Sequence, residues 1–165
     1  MGSDTDRYKA LIAGVVDAAI ITNEFVPLAG KQPIRDIMPA REVVPDFLRV
    51  CVQMTGKTLS QRRDDAVRFL AAEIEAMRFA MSHRDATIQL TRDITGMKPD
   101  DPRPAYVFDE AVKTKSVATE MPIPMDRLDV MQKQLVGAGS LTRPVDLEKT
   151  VDKGAREQAL ALLAK

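Results

Sequence analysis

The chain has 165 residues, of which 45% are hydrophobic and 4% aromatic, so its length and composition permit one domain with a sizeable core. Its 24 lysines and arginines balance 24 aspartates and glutamates and are scattered along the chain, which disfavours a nucleic-acid partner. One cysteine and one histidine exclude an internal disulfide and any metal site built from several such ligands. No apolar run is long enough to span a bilayer.

The first element in chain order is a helix with a well-marked start. Ser3 is a favourable N-cap residue, and Asp6 supplies the acid of a capping box, so the sequence predicts a helix over residues 4–13. Gly14 supplies the left-handed residue that commonly ends a helix. The run VVDAAII that follows, Val15–Ile21, is short, apolar and bounded by turn residues, which predicts a strand buried on both sides in a parallel sheet.

Prolines punctuate the next segment and forbid long helices there: Pro27, Pro33, Pro39 and Pro45. Within this segment, IRDIM (34–38) and DFLRVCVQM (46–54) predict short strands. The remainder is predicted to be helical, because apolar residues recur at three- and four-residue spacing. The predicted helices are Gln61–Ser82, Arg84–Thr95, Ala105–Val112, Met125–Val136 and Ala155–Ala164, with Asp146 capping a short turn. The sequence therefore predicts a helix-rich α/β fold with few strands and about six helices.

The residues that could form a nucleophile and base are Cys51 and His83. Cys51 alternates with apolar residues in a predicted strand, and His83 lies among charges at a helix junction, so no catalytic pair is predicted. Methionines at helical spacing are interpreted as core residues rather than a ligand surface. They are Met77, Met81, Met125 and Met131.

Three segments carry a resemblance to a known family. GSDTDRYKALIAGVVDAAIITNEF resembles the helix and strand that return to the hinge from the second lobe of bacterial ABC-transporter substrate-binding proteins, in the nitrate, sulfonate, taurine and thiamine-precursor branch. RRDDAVRFLAAEIEAMRFAMSHRDATIQLTRDITG resembles the paired helices that follow in the first lobe. PIPMDRLDVMQKQLVGAGSLTRPVDLEKTVDKGAREQAL resembles the C-terminal segment of the same proteins.

The resemblance implies the C-terminal part of a two-lobed, type II periplasmic-binding-protein fold. Residues 1–25 would come from the second lobe and hinge, and residues 26–165 from the first lobe and the C-terminal helices. The complete receptor would carry an export signal and most of both lobes ahead of these residues. It would deliver a small organic solute to an ABC permease in the periplasm, without a cofactor or catalysis.

Such receptors enclose their solute between two lobes, so this chain alone is expected to bind no solute tightly. Two alternatives to the receptor stay open. One is a biosynthetic enzyme or ligand-sensing domain on the same fold, and the other is a self-standing helical interaction protein.

The candidate solute-binding residues follow the first predicted strand, because ligands of open parallel sheets bind beyond the carboxyl ends of strands. They are Thr22, Asn23, Glu24 and Phe25. Alternatively, Asn23 caps the next short helix and Glu24 is solvated. Ser3 is a second candidate, since N–H groups at a helix start can hold an anion, but Asp4 and Asp6 already place negative charge there. These carboxylates, with Glu24, favour a neutral or amine-bearing heterocycle.

The predicted strands Val15–Ile21 and Phe47–Met54 are apolar enough to be interior strands, but the sequence supplies few partners for them. Their backbone N–H and C=O groups would then remain unpaired. The sequence therefore predicts either self-association, with strands paired across a two-fold axis or segments exchanged between copies, or collapse into a helix-rich arrangement unlike the parent receptor. Association is preferred because it restores hydrogen bonds to the strand edges.

Overall fold

A computed structural model describes residues 2–30, 32, 34–45, 47–48 and 50–164. In this part of the chain there are ten α-helices and one 3-10 helix, and no strand. The helices are α1 Asp4–Ile12, α2 Val26–Ala29, α3 Ala40–Val43, α4 Gly56–Gln61, α5 Arg63–Ser82, α6 Arg84–Thr95, α7 Arg103–Thr114, α8 Met125–Gly137, α9 Leu147–Thr150 and α10 Lys153–Leu163, and the 3-10 helix is Asn23–Phe25. The predicted helix-rich character is confirmed, and the six long helices correspond to the six predicted ones.

The helix ends show why these predictions succeed. The Ser3 hydroxyl accepts a hydrogen bond from the Asp6 N–H at 3.2 Å, and the Ser3 N–H donates to the Asp6 carboxylate at 3.0 Å, which completes the predicted capping box. Gly14 and Gly96 follow the ends of α1 and α6 with φ of 67° and 66°. Because this conformation costs glycine little, local sequence alone sets both boundaries.

The strand predicted at Val15–Ile21 is wrong. Residues 16–21 make no backbone hydrogen bond to any described residue, and the chain bends at Val15 and Asp17. Val15 is 74% exposed and Ile20 is 88% exposed, so the segment is not buried on both sides. A strand is held by hydrogen bonds to a neighbouring strand, and the described part of the chain provides none here.

The strands predicted at 34–38 and 46–54 are also absent from the described residues of those segments. Asp46 and Arg49 lie outside the described residues. Val50 is 85% exposed and Phe47 is 52% exposed, so apolar composition alone does not bury this segment. Because Val15–Ile21 also forms no strand, the strand part of the predicted α/β fold is wrong. The described chain is helical with irregular connections.

The chain divides into two compact units, each made from two segments. Unit 1 consists of Met1–Ile37 and Ala80–Val117, and unit 2 consists of Met38–Phe79 and Ala118–Lys165. The division predicted at residue 25 stays a prediction, because it assigns residues to the lobes of a receptor and not to contacts within this chain.

Unit 2 is organised around packing between α5 and α10. Val67, Ala71 and Ile74 of α5 form a buried cluster with Ala155 and Ala159 of α10. Ile74, at 0% exposure, is fully enclosed in this cluster. Half-buried side chains surround the cluster: Leu70, Met121, Leu160 and Leu163. The four methionines interpreted as core residues are half-buried in the structure.

An ion pair fixes the start of α10 in unit 2. The Arg63 guanidinium donates to both carboxylate oxygens of Asp152, at 2.6 and 3.2 Å, and the same carboxylate accepts the Ala155 N–H at 3.0 Å as the N-cap of α10. The hydrogen bonds from Arg63 first, and that from Ala155 second, hold the pKa of Asp152 below its ordinary value.

This ion pair predicts an acid-sensitive contribution to the stability of unit 2. Because the folded-state pKa of Asp152 is lowered, the contribution is complete above the unfolded-state pKa and is lost as pH falls through the folded-state pKa. The variant Asp152→Asn is therefore expected to be less stable than the wild type at about pH 7, with a smaller difference at about pH 3. Urea unfolding followed by circular dichroism at both pH values measures this difference.

The matched control is Asp146→Asn, because the Asp146 side chain is 52% exposed and its partner Lys149 is 84% exposed. Exposed pairs of this kind contribute little, so the control should change the pH dependence much less. Equal pH dependence for the wild type and Asp152→Asn would contradict the assignment.

Unit 1 is built from α1, α2, the 3-10 helix, α6 and α7. The rings of Tyr8 and Phe25 stack with centroids 4.8 Å apart and planes inclined by 23°, which joins α1 to the 3-10 helix. The 3-10 helix also contacts α2 and α7. Arg84 of α6 binds Asp109 of α7 through two hydrogen bonds of 2.7 and 2.8 Å. These contacts hold the predicted site residues 22–25 against α7.

Candidate functional site

The candidate residues Thr22–Phe25 form one turn of unit 1. Thr22 is the N-cap of the 3-10 helix, with extended backbone angles, and its carbonyl accepts the Phe25 N–H at 3.3 Å. Asn23 is exposed, Glu24 is half-buried and Phe25 is 2% exposed. The turn therefore presents two polar side chains outward and turns one aromatic side chain inward.

The polar side chains of this turn make no hydrogen bond with the described chain. Asn23 is the first residue of the 3-10 helix and Thr22 holds the cap position, so the alternative that Asn23 is a helix cap is wrong. The side chains of Asn23 and Glu24 form no hydrogen bond with a described residue. The Thr22 hydroxyl oxygen is buried and also has no hydrogen-bond partner among the described residues. The Asn23 and Glu24 side chains are therefore free to hydrogen-bond a ligand, whereas the Thr22 hydroxyl oxygen is enclosed.

Phe25 fixes the turn rather than facing outward. Its ring stacks on Tyr8 of α1 and is almost completely buried. A buried aromatic residue at this point anchors the backbone and limits the positions that Asn23 and Glu24 can take. Phe25 therefore acts as a packing residue beneath the turn.

Glu24 interacts electrostatically with Arg103, which is linked through Asp101 to Arg92. The Arg103 guanidinium binds the Asp101 carboxylate at 2.6 Å, and Arg92 donates to the Asp101 carbonyl oxygen at 3.2 Å. Asp101 first, and Glu24 to a smaller extent, hold the pKa of Arg103 above its ordinary value. Glu24, Arg92, Asp101 and Arg103, which we call the Glu24 cluster, carry two positive and two negative charges. Their near-zero net charge disfavours a strongly charged ligand.

The sequence gives no signal for the other members of the Glu24 cluster. Arg92 lies in α6, Asp101 lies in the loop just before α7, and Arg103 is the first residue of α7, all far along the chain from Glu24. Charged residues at a helix end usually indicate solvation or capping. Only the packing of α7 against the 3-10 helix reveals their relation to Glu24.

Ser3 directs its polar groups toward its own helix. Its hydroxyl and backbone N–H both bond Asp6, and these bonds are the main cause that holds the pKa of Asp6 below its ordinary value. Asp4 pairs with Arg7, which also donates to the Gly2 carbonyl oxygen at 3.0 Å. An anion at this helix start would have to displace the Asp6 carboxylate. The polar groups of Ser3 are therefore not available to an anion in this structure.

Unit 2 contains an open groove of about 600 Å³ that includes none of the candidate residues. It is lined by Met54, Gly56, Leu59 and residues 149–153. Asp152 in this lining pairs with Arg63, and Lys153 pairs with Glu148 at 3.1 Å. The charges of the groove are thus paired within the chain.

The remaining candidates for chemistry are Cys51 and His83. Cys51 is exposed, and Nδ1 of His83 lies 2.9 Å from the Ser82 hydroxyl. Across the described residues, no three His, Cys, Asp or Glu side chains are grouped so that they could hold a metal ion. The helices described by the structure include none with the length and apolarity needed to cross a bilayer.

A family model described as NMT1/THI5-like matches residues 2–87, just over half of the 165 residues, including Ser3 and the whole 22–25 turn. The chain belongs to the NMT1/THI5-like family. Members of the NMT1/THI5-like family are mostly substrate-binding proteins of ABC transport, usually periplasmic, and the family also includes a biosynthetic protein related to thiamine precursors. No curated protein and no solved structure matches the chain significantly. The resemblance to ABC-transporter substrate-binding proteins is confirmed.

Proposed function

We propose that this chain is a solute-binding receptor component of an ABC import system. It forms the C-terminal part of a two-lobed, type II fold in the periplasm and delivers a small organic molecule to an ABC permease. Residues 1–25 belong to the second lobe and hinge, and residues 26–165 to the first lobe and the C-terminal helices. The observation that carries the proposal is the NMT1/THI5-like family match over residues 2–87.

The solute contacts Thr22, Asn23 and Glu24 in this proposal. Their polar side-chain atoms lack hydrogen-bond partners in the described chain. A hydrogen bond from a ligand to a buried unsatisfied group such as the Thr22 hydroxyl stabilises the complex. Packing of Phe25 on Tyr8 holds the turn in place before the solute arrives. A preformed turn loses less conformational entropy on binding than a mobile one.

The solute is a neutral or amine-bearing heterocycle, such as a thiamine precursor. The Glu24 carboxylate accepts an N–H donor, and the Asn23 amide can both donate and accept. The Arg103 guanidinium already binds the Asp101 carboxylate, so it is not available to bind an anionic solute. The carboxylates of Asp4 and Asp6 at the start of α1 add further negative charge to unit 1.

Replacing Asn23 and Glu24 together by alanine tests the site. We expect the double variant to bind a thiamine-precursor aminopyrimidine at least about tenfold more weakly, because hydrogen bonds to a charged group are lost. Binding by this chain alone is weak, so the dissociation constant is obtained from amide chemical shifts during a titration to millimolar solute.

The control variant is Glu157→Ala, which removes an exposed carboxylate from α10 in unit 2. It should leave the dissociation constant unchanged. Unchanged affinity in the Asn23/Glu24 double variant would show that the turn is solvated surface and would remove it from the proposed site.

A further inference from the structure

The Asp101 carboxylate is bound in unit 1 by the groups with which proteins bind anions. Its Oδ1 accepts hydrogen bonds from the Arg103 backbone N–H and from Arg103 Nε, both at 3.0 Å. Its Oδ2 accepts from the same Nε at 3.1 Å and from Nη2 at 2.6 Å. The side chain of Asp101 is 14% exposed and that of Arg103 is 22% exposed. Because a guanidinium and an N–H at a helix start commonly bind carboxylates and sulfates, Asp101 acts as an internal anion here.

Arg92 adds a second positive charge beside this carboxylate. Its Nη2 donates to the Asp101 carbonyl oxygen at 3.2 Å, and its Nε is buried without a hydrogen-bond partner among the described residues. The hydrogen bond from the Arg103 side chain first, and the charge of Arg92 last, hold the pKa of Asp101 below its ordinary value. Asp101 is therefore ionised at neutral pH and balances one of the two guanidinium charges.

Glu24 is the other carboxylate that acts on Arg103, since α7 packs on the 3-10 helix. We propose that Asp101 sets the charge preference of the 22–25 turn. It satisfies Arg103 from within the chain, which excludes anionic solutes and leaves the Glu24 carboxylate to an amine-bearing solute. Asp101 is a positioning residue, because it acts through Arg103 and not on the solute. The amine preference rests on the proposed function, whereas the exclusion of anions does not.

The variant Asp101→Asn is expected to reverse this preference. The Glu24 cluster then carries two positive charges and one negative charge. An asparagine oxygen is a neutral acceptor, so the Arg103 guanidinium loses its charged partner. The released guanidinium binds an anionic solute or pairs with Glu24, and both events oppose the binding of an amine.

The test titrates the full chain with methanesulfonate and, separately, with the aminopyrimidine, while the amide signals of residues 22–25 and 103–106 are followed. We expect Asp101→Asn to bind methanesulfonate at least about tenfold more tightly than the wild type, because the guanidinium gains a charged acceptor. The aminopyrimidine should bind at least about threefold more weakly, because Arg103 competes for Glu24. Before any solute is added, the Arg103 Nε–H proton should exchange with water faster in the variant.

The matched control is Asp100→Asn, which makes the same change of charge at the neighbouring residue. The Asp100 side chain is exposed and forms no hydrogen bond or ion pair with a described residue. This control should leave both dissociation constants unchanged.

Three further variants separate charge from structure. Asp101→Glu keeps the carboxylate charge and should gain no affinity for methanesulfonate. Adding Arg103→Gln to Asp101→Asn should abolish the gain, which assigns the anion to Arg103. Asp101→Ser repeats the neutralisation with a hydroxyl that can still accept an N–H at the helix start. Circular dichroism confirms that each variant keeps its helices.

The outcomes for Asp101 and for the proposed function are separate. Equal methanesulfonate affinity in the wild type and in both neutral variants, or an equal gain in Asp100→Asn, would overturn the role of Asp101 even if the wild type binds the aminopyrimidine. If the wild type binds no aminopyrimidine at the turn, the proposed solute is wrong. A methanesulfonate gain that requires Arg103 still supports the role of Asp101 in that case.

Discussion

Replacing Ile74 by alanine is expected to lower the free energy of unfolding of unit 2 by about 2–5 kcal/mol. Ile74 is 0% exposed and lies in the cluster where α5 packs on α10. The substitution removes buried apolar atoms and leaves a cavity. The side chains of Ala155 and Ala159 are too short to fill it. A loss of this size is a large fraction of the stability of a typical domain.

Amide hydrogen exchange is the suitable measurement, because it reports local free energies of opening and does not require the whole chain to unfold in one step. The protection of amides in α5 and α10 should fall in Ile74→Ala. The control is Ile94→Ala in α6, which makes the same chemical change at a side chain that is 75% exposed. Unchanged protection in Ile74→Ala, or an equal loss in the control, would contradict the packing of α5 on α10.

Replacing Phe25 by alanine is expected to destabilise unit 1 by about 3–5 kcal/mol. Phe25 is 2% exposed and stacks on Tyr8, so the variant loses both the burial of a large ring and the aromatic contact. The 3-10 helix is short and has no side-chain cap bond, so the 22–25 turn depends on its packing against α1, α2 and α7. Amide exchange in α1 and α7 measures the loss.

Two further variants test whether burial of the Phe25 ring causes this loss. Phe69→Ala removes the same ring from α5 where it is 49% exposed, and it should cost much less. Phe25→Leu keeps an apolar side chain beneath the turn, and it should recover part of the stability together with solute binding. If Phe25→Leu restores stability but abolishes binding, Phe25 contacts the solute directly and is more than a packing residue.

Features that depend on neighbouring residues were predictable from the sequence. The Ser3–Asp6 capping box fixes the start of α1, and Gly96 fixes the end of α6, because each acts over a few residues. Val67 and Ile74, which the structure buries, lie at helical spacing in the predicted helix Gln61–Ser82. Helical periodicity predicts which face of a helix is buried, even when the element that packs against that face is not known.

Features that depend on distant partners were not predictable in the same way. The run VVDAAII has the composition of a strand, but a strand exists only when another strand pairs with it, and the described chain offers none. Residues 22–25 are adjacent in sequence, so their grouping was expected. Arg103 lies near Glu24 only because α7 packs on the 3-10 helix, which no local pattern encodes.

The proposed solute site is tested by a map of amide chemical shifts in the wild-type chain during titration with a panel of solutes. The panel contains a thiamine-precursor aminopyrimidine, taurine, an alkyl sulfonate and an aromatic acid. We expect the aminopyrimidine to shift the amides of Thr22, Asn23 and Glu24 and those at the start of α7, and the sulfonates to leave them unchanged. If no solute perturbs the 22–25 turn, or if the shifts fall only in unit 2, the proposed solute site is contradicted.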